Sequence, residues 1–303
     1  MAAVVDGTQQ RSVEWEPGSL NLRREVHVRT GAGTFVVSQD ANSSEPGAVL
    51  WEVSIIVARL LDCGALDGSG LRDRKVLELG AGCAVAGLAY AVRGARVTFT
   101  DLPALADHVR ANVERNLGPP GFPRSDIYPA AGEHRVVAYD WCDGLPKAIE
   151  GETFDVVLAT DCVYHAHLVE PFLDALDACA PTPRTTVVLA FERRDEAVLA
   201  RFERGLKRQF KCSSLLSPAK LRAAIGDDLA LRPSGDDGAG EPDTKWLSIL
   251  LCKRRKAAPP RHRAAERKAS SSGDDARAFD ASRAAFLAAR GLPALSPRPG
   301  GAT

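Results

Sequence analysis

Residues 76–82 read Val-Leu-Glu-Leu-Gly-Ala-Gly, and Val97-Thr98-Phe99-Thr100 then ends on Asp101. An apolar β run drops into a glycine turn, a helix-length stretch follows, and a second apolar run closes on a carboxylate. That is how a parallel α/β unit begins, and in such sheets the strand-to-helix turns gather at the carboxyl edge, where ligands bind. Gly80 and Gly82 carry no Cβ and let the backbone approach a ligand closely. Asp101 is placed to accept hydrogen bonds from the two hydroxyls of a ribose. This one feature confines the chain to a doubly wound sheet with a nucleoside site on its rim.

Counted from Gly80, the third position of a G-x-G-x-x-G dinucleotide turn is Val85, so that fingerprint fails. No G-x-x-x-x-G-K-[ST] phosphate loop occurs either. What remains is a glutamate before a G-x-G turn, with an acid closing the next strand. This resembles motif I and its partner acid in the class I methyltransferases, which bind S-adenosylmethionine.

Lys plus Arg and Asp plus Glu balance at 39 each, so no overall field draws the protein to nucleic acid or to a membrane. No run of eighteen apolar residues is present and no basic-then-apolar leader opens the sequence, so neither a spanning helix nor secretion is expected. The seven cysteines are scattered and form no C-x-x-C pair. They read as reduced thiols of a cytoplasmic protein, with no disulfide framework and no metal site.

Three regions are expected. Residues 1–45 form an amino-terminal extension with two short strands, near Leu22–Val28 and Thr34–Val37, joined by the turn Gly31-Ala32-Gly33. Residues 46–256 form the catalytic domain, opening with an apolar helical stretch from Val49 to Leu61. Strands are expected at 75–79, 96–100, 135–139, 154–160, 185–191, 210–215 and 246–252, alternating with helices near 84–93, 103–117, 168–179, 194–207 and 218–225. Such alternation implies a largely parallel sheet with helices on both faces, and the loop 233–243 is long enough for the last strand pair to be antiparallel. Residues 257–303 are rich in Ala, Pro, Arg and Lys and read as a disordered tail with a short helix at 274–290. Basic groups at 253–256, 261–263 and 267–268 read as a solvated tail or as a bipartite nuclear import signal.

Several residues fall where such a sheet places its cleft. Trp51 reads either as core or as a ligand contact. Trp141 follows the third strand of the alternation, where an indole can cover an adenine. The fourth strand ends Thr160-Asp161-Cys162-Val163-Tyr164, and Asp161 and Tyr164 can both point toward a transferred group. The alternative has Asp161 capping the next helix with Tyr164 packed beneath it. Cys162 lacks a preceding proline and reads as a small packed thiol. Glu192 closes the fifth strand and either supports this site or pairs on the surface with Arg193 or Arg194.

Together, Trp51, Glu78-Leu79-Gly80-Ala81-Gly82, Thr100-Asp101-Leu102, Trp141, Asp161-Cys162-Val163-Tyr164 and Phe191-Glu192-Arg193 resemble the non-SET, seven-strand protein-lysine methyltransferases. The resemblance covers roughly residues 46–255, and Asp161-x-x-Tyr164 is its most specific element. It implies a class I Rossmann-like fold of seven strands with one reversed. It further implies that Trp51, Glu78, Gly80, Ala81, Gly82, Asp101, Leu102, Trp141 and Thr160 bind S-adenosylmethionine. Asp161 and Tyr164 would be catalytic, holding the acceptor lysine of a protein substrate, a chaperone or an AAA ATPase in the branches most alike. The chain departs from the family at Ala84, where a third glycine is usual, and at Thr160, where many members have alanine. Two other functions fit the same fold: methylation of a small molecule at nitrogen or oxygen, and a catalytically idle module that binds a partner.

Overall fold

The structure, a computed structural model, describes residues 24–40, 43, 45–66, 70–120, 128, 131–214 and 246–256. The helices expected at 218–225 and 274–290, and the basic groups at 261–263 and 267–268, lie outside the described residues.

Glu25–Thr30 (β1) and Gly33–Ser38 (β2) pair antiparallel across the two-residue turn Gly31-Ala32. Helix Glu52–Asp62 (α1) follows, and then strand and helix alternate: Lys75–Leu79 (β3), Val85–Ala91 (α2), Arg96–Asp101 (β4), Ala106–Leu117 (α3), His134–Ala138 (β5). The second half comprises Val156–Thr160 (β6), Val169–Cys179 (α4), Thr186–Glu192 (β7), Glu196–Gln209 (α5), Phe210–Ser214 (β8) and Leu247–Arg254 (β9). Seven strands form one sheet in the order β5-β4-β3-β6-β7-β9-β8. Pairings among β3 to β7 are parallel, and β9 alone runs against its neighbours. The seven-strand, one-reversed sheet expected from the sequence is therefore the one observed. No described helix is long and apolar enough to cross a membrane.

Strand periodicity decides what lies on each face of the sheet. Along β3, Val76 packs into a core with α1, α2, α3 and the hairpin, while Leu77 and Leu79 pack with α4 and α5. Large side chains fill both layers: Phe35 and Phe99 on the first, Phe172, Phe191, Phe202 and Phe210 on the second. Each such burial contributes on the order of 1.5–3 kcal/mol. The hairpin belongs to the first core. Asn112 and Asn116, one helical turn apart on α3, each accept a β2 amide and donate back to the same residue's carbonyl, at Ser38 and Val36. The two side chains take the place of a neighbouring strand and satisfy an edge that would otherwise be open.

Three details correct the sequence reading. Helix α1 starts at Glu52, not Val49, because the backbone at Trp51 is extended and its indole N–H donates to the Pro46 carbonyl, at 3.0 Å. Helix α5 starts at Glu196, not 194, because Asp195 caps it by accepting the amides of Ala197 and Val198. Cys212 and Cys252, expected as reduced thiols, form a disulfide between directly opposed positions of β8 and β9.

Candidate functional site

The sheet changes direction between β3 and β6: the chain runs outward from β3 to β4 and β5, then returns to β6 on the other side. Ligand crevices in open α/β sheets lie above such a point. Here a cleft of about 530 Å³ opens over the ends of these strands. The volume suits a cofactor-sized ligand.

Its first wall is the turn after β3. Gly80, Gly82 and Ala84 all take left-handed backbone, with φ of 65°, 54° and 67°. At Gly80 a Cβ would meet the Cys162 sulfur at 2.8 Å and the Trp141 ring at 3.3 Å, so conformation and space both demand glycine. At Gly82 a Cβ would lie 2.9 Å from the Gly47 carbonyl oxygen, where the segment before α1 crosses the turn. Ala84 accepts the strain that the family's usual glycine avoids, about 1–2 kcal/mol.

Asp101 ends β4 and faces this turn. The Gly82 amide donates to its Oδ2 at 2.7 Å and the Leu102 amide to its Oδ1 at 2.8 Å. These bonds fix the carboxylate and leave a further lone pair on each oxygen for a ligand. Burial raises its pKa to about 6 against the pull of the two amides, with Glu45 adding to the rise. It is ionised at neutral pH. Trp141 lies beyond the end of β5, its ring 4.9 Å from that of Phe172.

The second wall comes from β6 and β7. Asp161 follows β6 at φ 58°, a left-handed position that aspartate tolerates better than most residues. It is no helix cap: α4 begins at Val169 behind a 3-10 turn at Ala166–Leu168, and neither receives a side-chain cap. Instead its buried carboxylate receives both arms of the Arg194 guanidinium, at 2.8 and 2.6 Å, and the Glu192 amide at 3.2 Å. Arg194 also pairs with Glu192 at 2.8 Å and lies over the Trp51 ring, 5.1 Å from its centroid. Glu192 thus pairs with Arg194 at the cleft, not on the outer surface; Arg193 turns away toward Glu196 and Glu203. Tyr164 and His165 complete this wall. Burial, with nearby Cys162 and carboxylates adding, pushes the Tyr164 phenol up, so it keeps its proton. Burial, His167 and Arg194 lower His165 to about 4, so its ring is neutral at pH 7.

The structure brings together Trp51, Gly80, Ala81, Gly82, Asp101, Trp141, Thr160, Asp161 and Tyr164 around the cleft. Two expected residues do not line it. Glu78 points beneath α2, accepts the Gly87 amide at 3.2 Å, and is raised to about 8 by burial. Leu102 contributes its amide to Asp101 and is not among the residues that line the cleft. Cys162 donates its thiol proton to the Leu79 carbonyl at 3.3 Å, a packing role as expected. Arg194, Gly47 and His165 belong to the cleft without having been expected there. Arg194 carried one sequence signal, its position just past the β7 strand end, but its partner Asp161 lies 33 residues away.

A profile of the lysine methyltransferase family matches residues 33–208, more than half of the chain. Mouse (Mus musculus) protein N-lysine methyltransferase METTL21A is 31% identical over 184 residues, 60% of this chain and 77% of that protein. Mouse EEF1A lysine methyltransferase 3 is 31% identical over 160 residues, 52% of this chain and 61% of its own length. Among solved structures, a Thermus thermophilus 16S rRNA N2 G1207 methyltransferase aligns at a TM-score of 0.45 and 17% identity, over 77% of this chain and 50% of that one, and the family membership does not rest on it. With its glycine turn, the buried acid that closes β4 beside it and the Asp161-x-x-Tyr164 rim, the chain belongs to the lysine methyltransferase family.

Proposed function

We propose that this protein transfers a methyl group from S-adenosylmethionine to the side-chain amine of a lysine in a protein substrate. One observation carries the reading: a single cleft holds an ionised acid fixed by backbone amides on one wall and the Asp161–Tyr164 pair on the other.

The residues fit that cofactor. Asp101 offers the free lone pairs that two ribose hydroxyls need, and the turn is closed to side chains at Gly80 and Gly82. Trp51 and Trp141 both line the cleft and supply aromatic surface. When bound, S-adenosylmethionine supplies a methyl on a sulfonium, whose C–S bond breaks as the N–C bond forms and whose sulfur keeps the electron pair. The acceptor must arrive with a free lone pair. Lysine at pKa ~10.4 needs about 4.6 kcal/mol for that at pH 7. Within the cleft wall Tyr164 keeps its proton and His165 is a weak base, so neither is poised to take one from an ammonium. Asp161 and Tyr164 therefore act by aiming the amine, and alignment supplies much of the rate.

The substrate class follows from the family and from the relatives' names. One relative is named for EEF1A, which makes purified EEF1A the first acceptor to try, beside chaperone- and AAA-ATPase-type proteins. Incubation of the purified protein with tritiated cofactor and a heat-inactivated extract tests the reading. Label in protein bands that hydrolyse to methyl-lysine supports it. Label only in the low-mass fraction would mean a small-molecule methyltransferase, and no cofactor binding by calorimetry would leave only a partner-binding module.

A further inference from the structure

A lone carboxylate is a poor neighbour for the group this reaction needs. An opposite charge within about 4–6 Å favours the charged form of an amine, and a burden of one to three pKa units is typical. An unpaired Asp161 would hold an acceptor lysine as its ammonium, which has no lone pair to give.

In the structure Asp161 is not unpaired. Both its oxygens are engaged by Arg194 in the forked geometry that only a guanidinium supplies, and its side chain is 3% exposed. Arg194 is held from other directions too. Glu192 at the end of β7 pairs with it, the Trp51 ring lies against it, and Glu52 at the start of α1 adds attraction. With Asp161, these contacts come from the ends of β6 and β7 and the start of α1, so the guanidinium is built into the wall. The other titratable groups around the cleft are His165, neutral at pH 7, its stacked neighbour His167, the protonated Tyr164 and Cys162, and the carboxylates of Asp195, Asp101 and Glu45. Arg193 is turned to α5.

We infer that Arg194 is a positioning residue: by neutralising Asp161 it lets the acceptor side chain lie beside that carboxylate as a neutral amine. The ammonium gives its proton to solvent on entry, and the carboxylate orients the amine without recharging it. Glu192 works in the opposite sense, because it restores one negative charge to the cluster. The inference rests on the lysine-transfer reading and adds to it the residue that sets the protonation state of the acceptor.

The test reads the pH dependence of methyl transfer in single turnover, with enzyme and tritiated S-adenosylmethionine in excess over the acceptors in a heat-inactivated extract. Under those conditions the acid limb reports the amine in the complex. Arg194→Gln should move that limb upward by about one pH unit or more, while Arg194→Lys, which keeps the charge, should leave it near the wild-type position. Glu192→Gln should move it downward. Opposite shifts from two members of one ion network are not what loss of structure produces. The inference is overturned if Arg194→Gln slows transfer with the limb unmoved, or if Arg194→Lys shifts it as far as Arg194→Gln. Should Arg194→Gln fail to bind S-adenosylhomocysteine by calorimetry, the Glu192→Gln limb decides: a downward shift supports the inference and an unmoved limb rejects it. Absence of any methyl-lysine from the wild-type protein would instead strike the functional reading beneath it.

Discussion

On the β3–β4 side of the cleft, the groups that face a ligand are placed by backbone. Gly80 and Gly82 shape the turn, and two main-chain amides hold Asp101. On the β6–β7 side the placing is done by side chains: Asp161, Arg194, Glu192 and Trp51 hold one another across three elements. A backbone-built site is rigid and hard to alter, because any added atom meets main chain or packed core. A network of side chains can be retuned by one substitution. Under the proposed function, binding falls to the first wall and aiming to the second, so mutations on the two should fail in different ways.

The largest effect is expected at Gly80→Ala. Left-handed strain and a clash with Cys162 and Trp141 together should weaken S-adenosylmethionine binding about 100-fold in calorimetry. An unchanged affinity would break the idea that backbone builds this wall. Asp161→Asn should do the reverse, lowering methyl transfer about 100-fold while cofactor affinity stays within a few-fold. Asparagine is the right probe because it tolerates the left-handed φ of 58° that alanine would resist. Loss of cofactor binding in that variant would merge the two walls into one.

A smaller effect concerns pH. Burial raises the Asp101 pKa to about 6, and the ribose contact proposed for it needs the ionised form, so cofactor affinity should fall by up to about tenfold between pH 7 and pH 5. Asp101→Asn should bind weakly with that slope gone. The smallest effect lies beneath the first wall. Glu78 has a folded pKa raised from 4.5 to about 8, so the folded state binds the proton more tightly and stability falls as pH rises through that window. Glu78→Gln keeps an acceptor for the Gly87 amide and should match the wild-type melting temperature at about pH 4, below the unfolded pKa. By pH 8 it should exceed the wild type by a few °C. A constant difference across pH would mean that Glu78 does not carry the penalty.

What could be read from the sequence divides along the same line. The glycine turn and Asp101 lie within one β-α-β unit, and their roles follow from local geometry. The Arg194–Asp161 pair spans 33 residues, and the Cys212–Cys252 bond spans 40. No local pattern announces either. Trp51 was misplaced into α1 because apolar spacing continues back through Val49, while the bond from its indole to Pro46 decides the backbone there. Glu78 did carry a signal. It shares a face of β3 with Val76, toward α2, so period-two alternation already directs it away from the rim.

The reversal of β9 has a consequence for how such a protein diversifies. β8 ends at Ser214 and β9 begins at Leu247, opposite Glu192, so both ends of the connection between them stand at the carboxyl edge. The Arg193 amide is tied there to the Trp246 carbonyl at 2.6 Å. A change in the length of the connection 215–245 is therefore anchored at that edge at both ends, while the seven-residue pairing of β7 with β9 holds Glu192 and its neighbours in register whatever the connection's length.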